Sequence, residues 1–434
     1  MRRPMNSNLQ WRLLQLVRTL WFRATLFSLL AVVTALIAVV LKPFIPDDIS
    51  AGTGANSVDD ILGVIASSML AVTIFSLSTM VSAYIAASNN VSPRAIRLLT
   101  EDGTAHNALG TFIGAFLFSL VGIIALSTGV YGEEGRLVLF AVTVVVVAFV
   151  IGTLLRWIDH VSKLGQVAQT TDRIERATAK AMRARHRNPY LGALPLLDAG
   201  NALPPGAIPV YPHRVGYVQH LDVEALSELA QESPGSSIFV TSPPGTLAEP
   251  TRPLAWVQGI PAEDMREQLR DAFSIDDLRS YDQDPRFGAA VLAEIASHAL
   301  SPGINDPGTA IDIIGRAVRI LSIWQEPRDA GDDKVRYRQV HMPGIEVDDL
   351  FNDLFRPIAR DGAAIVEVGI RLQKALCALA RVDDPGFLRN AQHHSQQALQ
   401  RALAVLTIEH DKQQLRVLAA QVAGIGAAAG PTDR

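Results

Sequence analysis

The chain has 434 residues, of which 49% are hydrophobic and only 19% charged, with a formal net charge of −4 and a mean hydropathy of +0.21. So much apolar content exceeds what one ordinary globular core uses. The near-balanced charge gives no field to attract nucleic acid, which is not expected as a partner. The single cysteine, Cys377, excludes an internal disulfide and reads as a small core residue in a reducing compartment.

The apolar surplus lies before residue 156. Four runs, 24–41, 61–87, 108–130 and 137–155, contain no Asp, Glu, Lys, Arg or His. Each is long enough to cross a hydrocarbon layer about 30 Å thick as a helix that satisfies its own backbone, which predicts a transmembrane domain over residues 1–156. The first run follows a long basic lead and precedes three more, so it reads as a span and not a signal peptide. Arg2, Arg3, Arg12, Arg18 and Arg23 precede the first span. Arg94 and Arg97 fall between the second and third, and Arg156, Lys163 and Arg173 follow the fourth. The other two loops hold Asp47, Asp48, Asp59, Asp60, Glu133 and Glu134 against Lys42 and Arg136. The positive-inside rule then places both termini in the cytoplasm, and Trp11, Trp21 and Trp157 suit the headgroup layer on that side.

In the second span, Ser67, Ser68, Ala71, Ser78, Thr79 and Ser82 share one helical face with Phe75 near its middle. Such a face either packs closely on another helix or lines a pore with Phe75 as its constriction. Gly110 and Gly114 in the third span stack one turn apart and permit close helix contact. The spans hold no ionisable residue, which disfavours an energised transporter and leaves a passive pore, a sensor or an anchor.

Residues 157–206 read as a juxtamembrane helix and linker. Between Arg156 and Arg187 the chain has an excess of Lys and Arg; the run reads as a helix continuing from the fourth span, with contact to anionic lipid as a second role. A small β-rich unit follows at 207–260, with strands at 207–210, 216–220, 237–241 and 254–257, a helix at 223–231, and a turn at Ser242-Pro243-Pro244-Gly245. Its strand-and-turn phrases resemble those of biotinyl/lipoyl-like domains, but no lysine lies between Lys180 and Lys334 to carry a prosthetic group.

From 261 to 434 the pattern is helical: 265–273, 286–300, 309–324, 347–382 with a break near Pro357, 387–406 and 409–422, with a short strand at 337–341. Ser301-Pro302-Gly303 stops one helix, and Asn305-Asp306-Pro307 starts the next with Asp306 as N-cap. Ser301, Asn305 and Asp306 are therefore structural turn residues or a ligand concavity. Glu294 and His298 lie one turn apart and are the candidate metal ligands, although such pairs also form surface ion pairs. No P-loop, GxSxG, HExxH or paired-cysteine motif occurs, so neither enzyme activity nor a cofactor is expected.

The phrase Ala299-Leu300-Ser301-Pro302-Gly303-Ile304-Asn305-Asp306-Pro307, with Gln283-Asp284-Pro285, Ser92-Pro93-Arg94 and the Leu109 to Gly114 opening of the third span, resembles the bacterial membrane-protein family catalogued as domain of unknown function 2254. The resemblance implies a protein of the bacterial inner membrane, which the apolar runs make multi-pass, and carries over no catalytic residue. Gly308 departs from the bulky apolar residue it leads one to expect. The fold class expected is mainly α: a four-helix transmembrane region, then a cytoplasmic α+β domain made of a small β-rich unit and a helical bundle. The function expected is a homo-oligomeric passive pore for ions, an ion channel with a cytoplasmic regulatory domain; the alternative is a membrane-anchored scaffold or sensor that binds a protein or small ligand through its cytoplasmic domain, and the lipid bilayer is the partner in either case.

Overall fold

The computed structural model describes residues 20–41, 58–100, 102–128, 132–164, 166–196, 203–233, 235–259, 263–329, 331 and 334–426. The basic lead up to Arg18, Trp11 and the loop residues Lys42, Asp47 and Asp48 lie outside them. The chain forms two compact units that divide between Thr170 and Thr171.

The first unit contains α1 (Leu20–Leu41), α2 (Val58–Asn90), the short α3 (Ile96–Thr100), α4 (Gly103–Ser127) and α5 (Gly132–Lys163). Among the described residues, three stretches are long and apolar enough to cross a membrane: Val58–Ser88, Gly103–Ser127 and Gly135–Lys163; the shorter Trp21–Thr34 in α1 is also apolar. Half of the α4 span is buried, against 17% for the spans of α2 and α5, so α4 is the interior helix, and α1, α2 and α5 pack on it. Its small residues explain this position, because side chains without bulk let neighbouring backbones approach. A Cβ added at Gly114 would meet the Phe27 carbonyl oxygen at 3.2 Å, and one at Gly110 would meet the Phe27 ring at 3.0 Å.

One end of the unit is braced by polar side chains. Asp102 caps α4 by accepting from Thr104 N–H at 2.9 Å, and its other oxygen lies 2.7 Å from His160 Nε2 in α5. Arg23 of α1 donates to Asn107 Oδ1 at 2.9 Å and to the Gly103 carbonyl at 3.2 Å.

The second unit begins within α6 (Val167–Arg187), which is a separate helix and not the continuation of α5 that the basic run suggested. In chain order it continues with β1 (Ala193–Pro195), β2 (Ile208–Val210), β3 (Gly216–Leu221), α7 (Val223–Gln231), β4 (Ser237–Val240), β5 (Leu247–Ala248), β6 (Ala255–Gln258), α8 (Glu263–Asp271) and β7 (Phe273–Asp276). After these come α9 (Pro285–Ala299), α10 (Pro307–Leu321), β8 (Tyr337–Met342), α11 (Val347–Asp361), α12 (Val366–Leu379), α13 (Pro385–Val405) and α14 (Glu409–Gly424). A five-stranded sheet has the order β1-β8-β4-β6-β2, with β8 parallel to both its neighbours, and β5-β3-β7 form an antiparallel sheet. The strands read within 207–260 thus share their sheets with β1, β7 and β8 from outside that segment. The helix expected over 265–273 ends at Asp271, and Phe273 opens β7.

Leu226, Leu229 and Ala230 of α7 bury against Ile238, Val240 and Val340 of the larger sheet. In the bundle α9 to α14, Phe351, Phe355 and Phe387 are fully buried, with the Phe351 and Phe387 rings edge to face at 5.5 Å. Aspartate caps set the helix starts: Asp284, Asp306 and Asp384 each accept backbone N–H groups, and each precedes a proline at the first helical position. The break expected at Pro357 falls instead after Asp361. Proline removes one N–H bond, but the helix runs on for another turn to Gly362, whose added Cβ would collide with Val368. Cys377 is half-buried in α12.

His394 is buried against the rings of Phe351 and Phe355, at 5.9 and 6.5 Å. Burial pulls its imidazole down to about 4, and the neighbouring His393 adds to the effect. It is therefore neutral when folded but takes a proton near pH 6.5 when unfolded. That contribution to stability is complete above about pH 6.5 and is lost as pH falls towards 4, reaching about 3 kcal/mol at the lower end. Melting curves from about pH 7 to about pH 4.5 should show the wild type losing more stability than His394→Phe, and parallel losses would contradict the burial argument. In the first unit, Gly114→Leu should lower the melting temperature in detergent, at a cost of about 1–3 kcal/mol. An unchanged temperature would mean that α1 and α4 do not pack as tightly as described.

Candidate functional site

The second unit contains a cavity of about 470 Å³, a volume typical of small-ligand sites. Five segments wall it: the end of α6, the turn between β4 and β5, the β5–β6 connection with Arg252, the entry to α9 and the connection from β8 to α11.

The β4–β5 turn is held by its own backbone and hydroxyl groups. Thr246 N–H donates to the Pro243 carbonyl at 3.1 Å and Gly245 N–H to the Val218 carbonyl at 2.8 Å, while Thr241 and Ser242 hydroxyls both donate to the Pro253 carbonyl at 2.9 Å. Gly245 has φ +95°, and a Cβ there would lie 2.5 Å from Asp284 Oδ2, so only glycine fits both the conformation and the contact.

Opposite the turn, the buried Asp284 carboxylate accepts from Phe287 N–H at 3.1 Å and from Arg279 Nε and Nη2 at 2.8 and 3.0 Å. The Arg279 guanidinium also lies over the Phe287 ring, 5.3 Å from its centroid. Burial pushes the Asp284 carboxyl above its ordinary range, against the pull of Arg279. Gln283 is fixed by Leu221, whose N–H donates to its Oε1 at 2.9 Å. Arg286 Nε donates to Asp353 at 2.8 Å, and Nη1 pairs with Asp349.

Arg185, near the end of α6, also lines the cavity and is 4% exposed. Its Nε and Nη1 atoms are buried and have no hydrogen-bond partner among the described residues. Desolvation pulls the guanidinium down to about 10, opposed by the field of Asp284, so it stays charged at neutral pH. A cavity with this lining can bind and orient a polar ligand, while among the described residues no group of three or more His, Cys, Asp or Glu side chains could hold a metal.

The residues nominated from sequence lie elsewhere. Ser301 Oγ donates to the His298 carbonyl at 2.7 Å, and Asn305 adopts φ +50°. Asp306 caps α10, accepting from the Thr309 hydroxyl at 2.6 Å and the Thr309 N–H at 3.1 Å, contacts that hold its carboxyl below the ordinary range. A Cβ at Gly308 would come within 3.2 Å of Asp306 Oδ1, so a small residue suits this cap. Glu294 and His298 lie on α9, and neither they nor the Ser301–Asp306 turn line the cavity.

On α2, Ser67, Ser68, Ala71, Phe75, Ser78 and Ser82 are exposed and Thr79 is half-buried. The hydroxyls of Ser67, Ser78, Thr79 and Ser82 bond back to carbonyls of their own helix at 2.9 to 3.0 Å.

Sequence reading took Ser242-Pro243-Pro244-Gly245 as a turn and noted Gln283-Asp284-Pro285 in the family resemblance, but it did not bring the two together, and it missed Arg185. One signal was available. Ile174, Thr178, Met182 and Arg185 recur at helical spacing on one face of α6, so a charged residue occupies a position of the buried stripe.

No solved structure matches the chain. Uncharacterized proteins of Mycobacterium bovis and Mycobacterium tuberculosis strain H37Rv are each 28% identical to it over 259 residues, which make up 58% of this chain and 49% of the relative. The chain thus spans about half the length of the curated relatives it matches. A family model described as predicted membrane protein (DUF2254) matches residues 17–378, and with most of its length covered the chain belongs to that family of membrane proteins of unknown function.

Proposed function

We propose that the protein is a membrane-anchored sensor whose second unit binds a small ligand on the cytoplasmic side of a bacterial inner membrane. In this reading Leu20–Leu41 joins the three longer apolar helices as a fourth span, and the Arg-rich loops keep both termini in the cytoplasm. Exposed Arg176, Lys180 and Arg187 on α6 suit contact with anionic headgroups. The observation that carries the reading is the cavity of about 470 Å³, walled by segments far apart in sequence, with Arg279, Asp284 and Arg286 of its lining held in place by their own bonds.

A second reading, a homo-oligomeric passive pore, is favoured by the exposed hydroxyl-bearing face of α2, where Phe75 is 69% exposed. The two readings separate in one preparation. The full chain is extracted from bacterial membranes in mild detergent, and the small molecules it releases on denaturation are identified by mass spectrometry. The sensor reading expects a bound molecule near one per chain that falls at least tenfold in Thr246→Trp, which fills the cavity. An empty wild type, together with liposome ion flux that Ala71→Trp blocks, would sink the sensor reading and favour the pore.

A further inference from the structure

Resting on the cavity reading above, we infer that the ligand is a small organic anion whose phosphate or carboxylate group docks on Arg185. The other arginines of the cavity are already engaged: Arg279 with Asp284, Arg286 with Asp349 and Asp353, and Arg252 with the Thr241 carbonyl at 3.4 Å. Arg185 alone among these four lacks a hydrogen-bonded acceptor among the described residues, although it is the most deeply buried.

Arg316 shows how this chain treats a buried guanidinium elsewhere. It is 7% exposed and is surrounded by the carboxylates of Asp172, Glu175 and Asp312. Taking a cation out of water without an acceptor is costly, and a buried ion normally has its counterion in place. Asp284, the carboxylate whose field acts on Arg185, already has its oxygens occupied by Arg279 and the Phe287 N–H. With no acceptor left for it among the described residues, the cavity is the route by which a counterion reaches Arg185. A guanidinium presents paired N–H donors that match the planar carboxylate and the phosphate edge. Pro243, Pro244, Pro285, Pro343 and Ile345 add apolar wall, which suits a ligand with a short apolar body behind its charged group.

The test is calorimetric titration of the full chain in detergent, at fixed chloride, with inorganic phosphate, phenyl phosphate and benzoate. Phenyl phosphate and benzoate share a body and differ in head group. Saturable binding of either, weakened at least tenfold in Arg185→Met, supports the inference, and the tighter of the two names the head group. Arg185→Met should melt no lower than the wild type without anion, because it removes an uncompensated buried charge. Should Arg185→Met not yield folded protein, Arg185→Lys takes its place, since it keeps the charge and loses the fork. Wild-type affinity in either variant overturns the assignment, as does the lack of saturable binding by all three probes. A neutral molecule that leaves with Thr246→Trp but stays with Arg185→Met would retire the oxyanion and leave the cavity reading standing.

Discussion

The second unit is organised around one buried carboxylate. Asp284 starts α9 by satisfying the Phe287 N–H, receives both donors of the Arg279 fork, and lies against the left-handed Gly245 at the tip of the β4–β5 turn. Two segments far apart in sequence, the entry to α9 and the β4–β5 turn, thus meet at two oxygen atoms. Removing any partner would leave a buried charge or an unsatisfied donor, each worth more than an ordinary hydrogen bond. The cavity is the space left beside this joint, which explains why its lining is so strongly pre-positioned.

Much of the fold could be read from residue order because its signals are local. Asp-Pro pairs mark the starts of α9, α10 and α13, and the helix read at 223–231 is α7 as observed. Chain segments whose structure depends on distant partners were not legible. The Ala193–Pro195 strand sits in a stretch rich in Gly, Pro and Ala and exists through its pairing with β8, and Phe273–Asp276 is a strand through pairing with β3. The cavity was hidden for the same reason. Its walls come from residues 185, 241–252, 279–286 and 343–349, and their proximity is a property of the tertiary fold.

In the first unit the arrangement follows from size more than from polarity. Gly110, Gly114 and Gly122 put α4 within reach of Phe27 and Leu62, and the interior position of that helix follows. Hydroxyls on α2 that seemed suited to line a path are turned back on their own helix, a bonding pattern that serves equally on a packed or a lipid-exposed face. Polar pairing is concentrated where Arg23, Asp102, Asn107 and His160 meet, at the ends of three helices.

Strand β8 has a consequence for how the chain is made. It occupies an inner place of the five-stranded sheet, between β1 and β4, yet it is encoded after α9 and α10. During synthesis the sheet therefore waits, with the β4 edge open, until residues 337–342 leave the ribosome. Closing that gap requires parallel pairings across a long sequence separation, which are slow to form, and an unpaired edge is a template for another chain. A chain interrupted before residue 337 would lack part of the sheet's interior and not only its last helices, so the sheet gains an inner strand only after the first two helices of the bundle have been made.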